Sequence, residues 1–307
     1  MSAPLKEKAM LFGRTRSLVG VLTEPARNAE SRGKPGVILL NSGLLHRVGP
    51  SRMYVALARA LAADGFPVLR FDFSGIGDSE SRRDALSGDE STLEEARDAM
   101  DALTAARGVR RFILMGLCSG ADNAFQIARA DERVVGAAMI DGYAYRTIGF
   151  HWRYWSERLA SGRRWKRLLQ RVVRRRSHAA SSGSNPAEPM YVRAFPAKER
   201  VIDDCRTMIA RGVELCFLYS AGQYQYYNYR RQFDHAFRPL DYAGRVTVTY
   251  FPHANHTFTR RSHLEELVSA VRAWAPRTIE VSELPRAGVD PVVRPVAPKA
   301  LADVPAS

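Results

Sequence analysis

The sequence predicts an α/β fold with a mostly parallel central sheet flanked by helices, and it does so on two observations. Largely apolar segments of strand length recur at Gly36 to Asn41, Phe66 to Phe73, Phe112 to Met115, Val134 to Ile140, Val213 to Tyr219 and Val246 to Phe251. The run Phe112 to Met115 is continuous, as suits a strand buried on both faces. Segments with helix-like apolar spacing separate these runs, and such alternation puts helices on both faces of a parallel sheet.

Taken in order, Ala9 to Phe12 and Leu18 to Leu22 read as an antiparallel hairpin joined by Gly13-Arg14-Thr15-Arg16, and polar Asn28 to Pro35 as a loop. The strand from Gly36 leads into Ser42 to Pro50, after which Ser51 is expected to cap a helix reaching Asp64, stopped by Gly65. Phe66 to Phe73 ends in the loop Asp72-Phe73-Ser74-Gly75-Ile76-Gly77-Asp78-Ser79. The spacing Ser91-Thr92-Leu93-Glu94 predicts a capping box for a helix over Ser91 to Ala106. Beyond Val134 to Ile140 the alternation breaks. Tyr143 to about Ala210 holds two aromatic, basic helical segments, 150–160 and 162–176, and then the Ser/Ala/Gly/Pro stretch Ser177 to Met190. Alternation resumes with Val213 to Tyr219, a tyrosine-rich loop Ser220 to Tyr229, Val246 to Phe251, and a helix Ser262 to Trp274 with capping-box spacing in Ser262-His263-Leu264-Glu265. The expected organisation is a core in two parts, 9–142 and 211–275, and a helical basic lid insertion, 143–210, with a flexible linker at 177–190. The Pro-, Val- and Ala-rich tail 276–307 is expected to be disordered.

The formal net charge is +14. Cys118, Cys205 and Cys216 are an odd number of cysteines with no C-x-x-C pair and no metal-like cluster with histidine. They point to free thiols, a reducing compartment, and no metal or cofactor. The first eight residues lack the apolar core of a signal peptide, and no stretch of about eighteen apolar residues occurs, so the expectation is a soluble cytoplasmic protein. From His151 to His178 there are ten Lys or Arg against the acid Glu157, interleaved with Trp152, Trp155, Trp165 and Leu168. One reading is a helix with a solvated basic face. The other is a surface for an acidic partner, such as a carrier protein, a phosphorylated acyl donor or an acidic polysaccharide, or for an anionic membrane. Nucleic acid is disfavoured, because no recognised binding module accompanies the charge.

The chemistry converges on Gly116-Leu117-Cys118-Ser119-Gly120, where a buried strand meets a helix. Flanking glycines allow a sharp turn, and the central side chain then stands at a helix N-terminus, as in a nucleophile elbow. The partial positive charge there favours the thiolate of Cys118, the attacking form of the thiol.

With this elbow in an alternating chain, the sequence resembles the α/β-hydrolases from about residue 9 to residue 275. Supporting marks are Asn41-Ser42-Gly43, the Asp72 to Ser79 loop and Pro252-His253-Ala254-Asn255-His256 after the last strand. More narrowly, His46-Arg47-Val48-Gly49-Pro50, Gly116 to Asp122, Asp141-Gly142-Tyr143-Ala144-Tyr145-Arg146-Thr147 and Asn255-His256-Thr257-Phe258 resemble the hydrolases that accompany exosortase and exopolysaccharide gene clusters. The resemblance implies Cys118 as nucleophile and His256 as its base, with His253 as the fallback. His46 and His151 are expected to serve binding or structure. Backbone N–H groups of Ser119 and of Leu44 or Gly43 are implied as the oxyanion hole. The usual acid follows the strand Val213 to Tyr219, and there the loop Ser220 to Tyr229 contains no carboxylate. Asp141 from the neighbouring strand can serve instead, Asn228 or Gln223 can orient His256 through an amide, or the pair can act as a Cys-His dyad. Asp141 is the preferred choice, and Asn228 is also a candidate for binding substrate. The expected activity is hydrolysis of an ester or thioester through an acyl-Cys intermediate. The alternatives are transfer of the acyl group to a bound acceptor and a non-catalytic scaffold that binds an acidic partner through the basic lid.

Overall fold

The computed structural model describes residues 5–25, 33–84, 86–160 and 195–279. An eight-stranded sheet runs through them in the order β1-β2-β4-β3-β5-β6-β7-β8. Its strands are β1 (Lys6–Phe12), β2 (Leu18–Glu24), β3 (Gly36–Leu40), β4 (Val68–Phe71), β5 (Phe112–Leu117), β6 (Val134–Ile140), β7 (Glu214–Ser220) and β8 (Val246–Phe251). β1 and β2 form the antiparallel hairpin, with Phe12 opposite Leu18, and β2 lies antiparallel to β4. All remaining pairings are parallel. Edge strand β1 carries Lys6, Glu7 and Lys8 exposed, and such charges discourage pairing with another chain. β3, β4, β5, β6 and β7 are buried at every residue, which is why they read as apolar runs without alternation.

Helices cover both faces. α1 (Met53–Ala63) packs with α7 (Arg261–Trp274) on one of them, through Tyr54, Leu57, Leu61, Leu267, Val271 and Trp274. On the other lie α2 (Gly88–Arg107), α3 (Ser119–Ala130) and α5 (Lys198–Ala210), contributing among others Met100, Leu103, Phe125, Val201 and Met208. Each large apolar side chain so buried contributes about 1.5–3 kcal/mol. The remaining helices are α4 (Ile148–Ala160) and the short α6 (Gln232–Ala236). β3 is followed by α1 on one face and β5 by α3 on the other. The chain thus diverges at the carboxyl ends of β3 and β5, the kind of switch point at which open α/β sheets bind ligands.

Several boundaries differ from expectation. The capping box of α2 is formed by Ser87 and Glu90, whose groups bond reciprocally, and not by Ser91 and Glu94. α1 is entered through a short 3-10 turn in which Ser51 and Arg52 have φ of 51° and 60°, so Ser51 does not cap it, and α7 likewise has no side-chain cap. The core starts at Lys6 in place of residue 9. It also extends past 275, for Thr278 is fully buried and Arg277 Nε donates to the buried Glu214 at 3.0 Å. The rest of the tail lies outside the described residues.

The insertion is only partly a lid candidate. Its final helix α5 buries Val201, Ile202, Cys205 and Met208 and is a regular sheet-flanking helix between β6 and β7. α4 buries Phe150 but exposes Ile148 at 91%, Trp152 at 77% and Trp155 at 58%. The expected helical segment 162–176 and the linker 177–190 fall outside the described residues, and most of the basic cluster goes with them. Among the described residues no helix is long and apolar enough to cross a membrane.

Candidate active site

β5 delivers the chain into a sharp turn at Cys118, with φ 57° and ψ −117°, and α3 begins at the next residue. Backbone of this kind costs on the order of 1–3 kcal/mol and persists only where surrounding structure enforces it. Here the enforcement is visible. Cys118 N–H donates to Ile140 O at 2.9 Å, and Cys118 O accepts from Ala121 and Asp122 N–H at 3.0 and 3.2 Å. A Cβ on Gly116 would come within 2.3 Å of the Gly120 backbone, and one on Gly120 within 2.4 Å of Asn41 O. Only glycine fits either place, which is the physical content of the G-x-C-x-G spacing.

Beneath the elbow lies Tyr54 of α1, fully buried, its hydroxyl donating to Leu40 O at 2.8 Å and accepting from Leu117 N–H at 3.0 Å. It ties the ends of β3 and β5 together. Burial raises its pKa far above the ordinary tyrosine value, and the neighbouring Cys118 charge acts in the same direction. In the sequence Tyr54 is only one more apolar position on an amphipathic helix.

His256 sits in the loop after β8. Its Nδ1 is 2.7 Å from Asp141 Oδ2, and its ring also hydrogen-bonds the Cys118 thiol. Burial alone would lower its pKa. The hydrogen bonds to Asp141 and Cys118, together with their negative charges, outweigh this and bring it up to about 9. His256 thus lies between the Asp141 carboxylate and the Cys118 thiol.

Asp141 occupies the turn after β6 with φ 50° and is wholly buried. Besides His256, its carboxylate accepts from Ser220 N–H at 2.7 Å and Ser220 Oγ–H at 2.6 Å. Ser220 ends β7, the strand after which an acid was sought. β7 thus supplies two donors that hold the carboxylate of β6. At Gly222 in the next loop there is no room for any side chain, since a Cβ there would lie 2.0 Å from the His256 backbone nitrogen. In the sequence a serine at a strand end gives no signal of this role.

The amide alternatives are corrected by the geometry. Asn228 Nδ2 donates to Phe150 O at 3.2 Å and its N–H to Gln232 Oε1 at 2.9 Å, so this side chain anchors α4 and orients neither His256 nor an oxyanion. Gln223 Nε2 donates to the backbone oxygen of Asp141 at 3.3 Å. His253 is exposed beside β8 with no hydrogen bond among the described residues. His46 and His151 are exposed as well. Of the tyrosine-rich loop, Tyr227 stacks on Tyr219 with ring centroids 3.9 Å apart, and Tyr229 OH bonds Thr147 Oγ1 at 2.6 Å, so these two pack.

The loop after β3 is held at its base. Asn41 Nδ2 donates to Leu45 O at 2.8 Å, its Oδ1 accepts from Phe73 N–H at 2.7 Å, and buried Asp72 accepts from Asn41 and from both the backbone and guanidinium of Arg47. Gly43, at φ 54°, directs its N–H toward the elbow, where Ser119 Oγ accepts it at 2.7 Å. The Leu44 side chain is 90% exposed. Gly43 and Ser119 line a cavity of about 450 Å³ whose other walls include Ser74, Thr92, Glu95 and Asn123. Buried Cys205 and Cys216 have thiols raised by desolvation, Cys205 up to about 12, which leaves the half-buried Cys118 as the reactive candidate. Among the described residues no group of His, Cys, Asp or Glu is arranged to hold a metal ion.

Known structures share this architecture. An esterase from Pyrococcus furiosus is similar with a TM-score of 0.56 at 14% identity, over 90% of this chain and 92% of its own. The esterase domain of a Rhodothermus marinus protein gives 0.53 at 17% identity, over 90% and 100%. A serine hydrolase from Xanthomonas campestris, described as lacking a lid, gives 0.51 at 15% identity, over 90% and 97%. At such identities the likeness is one of fold. Comparison with curated proteins finds no match by sequence. The family profile described as the α/β hydrolase fold matches residues 36–230, more than half of the chain, and the protein belongs to that family.

Proposed function

We propose that the protein is a cysteine-nucleophile α/β-hydrolase that cleaves an ester or thioester through an acyl-Cys118 intermediate. The observation that carries this reading is the line Asp141, His256, Cys118, with Cys118 on a strained elbow at the N-terminus of α3 and His256 raised to about 9. A histidine with that pKa is protonated at neutral pH, and an imidazolium beside a thiol favours the thiolate, the nucleophilic form.

In the reaction, Cys118 Sγ⁻ adds to the acyl carbon and the C=O π pair moves onto oxygen. Collapse re-forms the carbonyl and expels the alkoxide or thiolate, which takes the proton from the His256 ring nitrogen opposite Nδ1. The neutral ring then removes a proton from water as that water adds to the thioester. A second collapse releases the acid and returns the thiolate and imidazolium. Asp141 holds the ring in orientation through Nδ1 and keeps its charge throughout. An acceptor amine, alcohol or thiol in the place of water turns the same steps into acyl transfer.

Free thiols at Cys118, Cys205 and Cys216 support a reducing, cytoplasmic setting. The motif likeness to hydrolases of exosortase and exopolysaccharide gene clusters supports membership of that group, and the basic insertion supports an acidic carrier or anionic surface as partner. The scaffold reading drew on the missing acid after β7. The bond between Asp141 and His256 weighs against it.

The test is alkylation of Cys118 against pH, followed by intact mass, in wild type and His256→Ala, with Cys205→Ala/Cys216→Ala as background. Reaction below neutral pH that is lost without His256, together with a mass increase on acylation, supports the reading. Alkylation with an ordinary thiol profile indifferent to His256 sinks it. Product analysis with water and added acceptors separates hydrolysis from transfer.

A further inference from the structure

We propose that the Ser119 side chain, and not the Gly43 amide directly, supplies the oxyanion site with its donor from the β3 side, as a hydroxyl oriented and polarised by Gly43. This deepens the acyl-Cys118 reading and rests on it.

An oxyanion hole needs donors aimed at the oxygen that gains charge when the thiolate adds. The loop after β3 is expected to offer a backbone N–H, but the Gly43 N–H is already directed at Ser119 Oγ, at 2.7 Å. One N–H gives one good hydrogen bond, so an oxyanion meeting Gly43 directly would have to displace Ser119 first.

A serine hydroxyl has one donor hydrogen and two acceptor lone pairs. Ser119 Oγ uses a lone pair on Gly43, and its own hydrogen has no acceptor among the described residues. Ser119 is the first residue of α3, directly after Cys118, so its hydroxyl is fixed to the same turn as the nucleophile. Both Ser119 and Gly43 line the cavity of about 450 Å³ next to the elbow. Accepting from Gly43 makes the hydroxyl a stronger donor, because hydrogen bonds in a chain polarise one another.

The loop that carries Gly43 is built to hold this contact. Asn41 is buried and bonded to Leu45 O, Asp72 and Phe73 N–H, and Asp72 in turn fixes Arg47. Gly43, with φ 54° and open space where a Cβ would stand, takes a conformation natural to glycine and brings its N–H onto Ser119. When Cys118 Sγ bonds to the acyl carbon, the Ser119 O–H and N–H donate to the new oxyanion. The hydroxyl keeps its proton, and collapse returns the carbonyl with the donors unchanged.

A plug is the contrary role: Ser119 merely occupies the Gly43 N–H at rest and hinders catalysis. Two reagents separate the roles. p-Nitrophenyl acetate acylates Cys118 through an oxyanion, whereas iodoacetamide alkylates it at a tetrahedral carbon with none. Both rates are measured by intact mass in wild type, Ser119→Ala and Ser119→Thr, with circular dichroism to establish folding.

Ser119→Ala is expected to slow acylation by about 10²-fold while alkylation stays within about twofold, and Ser119→Thr to recover acylation to within about tenfold. Equal or faster acylation in Ser119→Ala overturns the proposal and returns the role to the Gly43 amide. A parallel fall in alkylation and acylation also overturns it, since that marks a disturbed thiol. A folded wild type that alkylates but never acylates at Cys118 overturns the acyl-enzyme reading and this proposal with it.

Discussion

Asp141 Oδ2 and His256 Nδ1 lie 2.7 Å apart across 115 residues of sequence, joining the turn after β6 to the loop after β8 past the end of β7. The intervening strand still takes part, because Ser220 at its end binds the same carboxylate through both its N–H and its hydroxyl. Asp141 is buried, and its oxygens bond the Ser220 N–H, the Ser220 hydroxyl and the His256 ring, an arrangement that holds the carboxylate pointing one way.

Asp141→Asn keeps the shape and removes the charge. The His256 pKa should fall from about 9 toward its ordinary 6.5, as followed by NMR titration of the ring. Acylation of Cys118 should drop by about 10²-fold, less than the ~10⁴-fold loss of the equivalent change in a serine triad, because a thiol depends less on its base. An unchanged titration would show that Asp141 does not govern His256.

Ser220→Ala removes the hydroxyl donor and leaves the backbone one. Groups that orient a catalytic side chain from behind typically matter by about 10–100-fold, and the lower end is expected here since Ser220 N–H stays bonded. Stability should fall by about 1.5–3 kcal/mol in urea denaturation, the worth of a hydrogen bond to a charged group. Full activity at reduced stability would limit Ser220 to a structural part.

Much of this was legible in the sequence for physical reasons. β3, β5, β6 and β7 are buried on both faces, so their apolar runs announced a parallel sheet. Gly116 and Gly120 sit where backbone approaches too closely for a side chain, so the elbow left a spacing that could be read. What was hidden depends on contacts between distant segments. Tyr54 reaches Leu40 and Leu117, Ser220 reaches Asp141, and Asn228 turns to Phe150 instead of His256. Caps were misread where several candidates compete: Ser87 with Glu90 and Ser91 with Glu94 have the same spacing, and the chain uses the first pair. The tail boundary was missed because Thr278 is buried by packing after α7, amid a composition that reads as disordered.

Tyr54→Phe tests the brace beneath the elbow. The change strands the Leu117 N–H and the Leu40 oxygen in a buried place, and each unsatisfied group costs about 1–3 kcal/mol. At roughly 2–4 °C per kcal/mol for a domain of this size, the Tm should drop by about 5 °C or more. Alkylation of Cys118 should keep its pH profile if Tyr54 acts only as a brace, and an altered profile would show that its hydroxyl also tunes the thiol.

The paired charges at His256 also make stability depend on pH in a definite direction. Its folded pKa, about 9, lies above the ordinary 6.5, so the folded state binds the ring proton more tightly than the unfolded chain does. The stabilisation is fully present below about pH 6.5 and is lost as pH rises through 9. Partial exposure of the ring screens it, so the effect is to be read as a difference between proteins and not as an absolute value. Unfolding free energies of wild type minus His256→Gln should therefore decline between pH 6.5 and 9 and be flat below that window. Alkylating Cys118 removes one of the two groups that raise the ring pKa and should narrow the window from its upper end, whereas Asp141→Asn should narrow it further. Parallel stability curves for wild type and His256→Gln across the window would mean that His256 is not held as an imidazolium in the folded protein. The resting thiolate proposed for Cys118 would then lose its counter-ion.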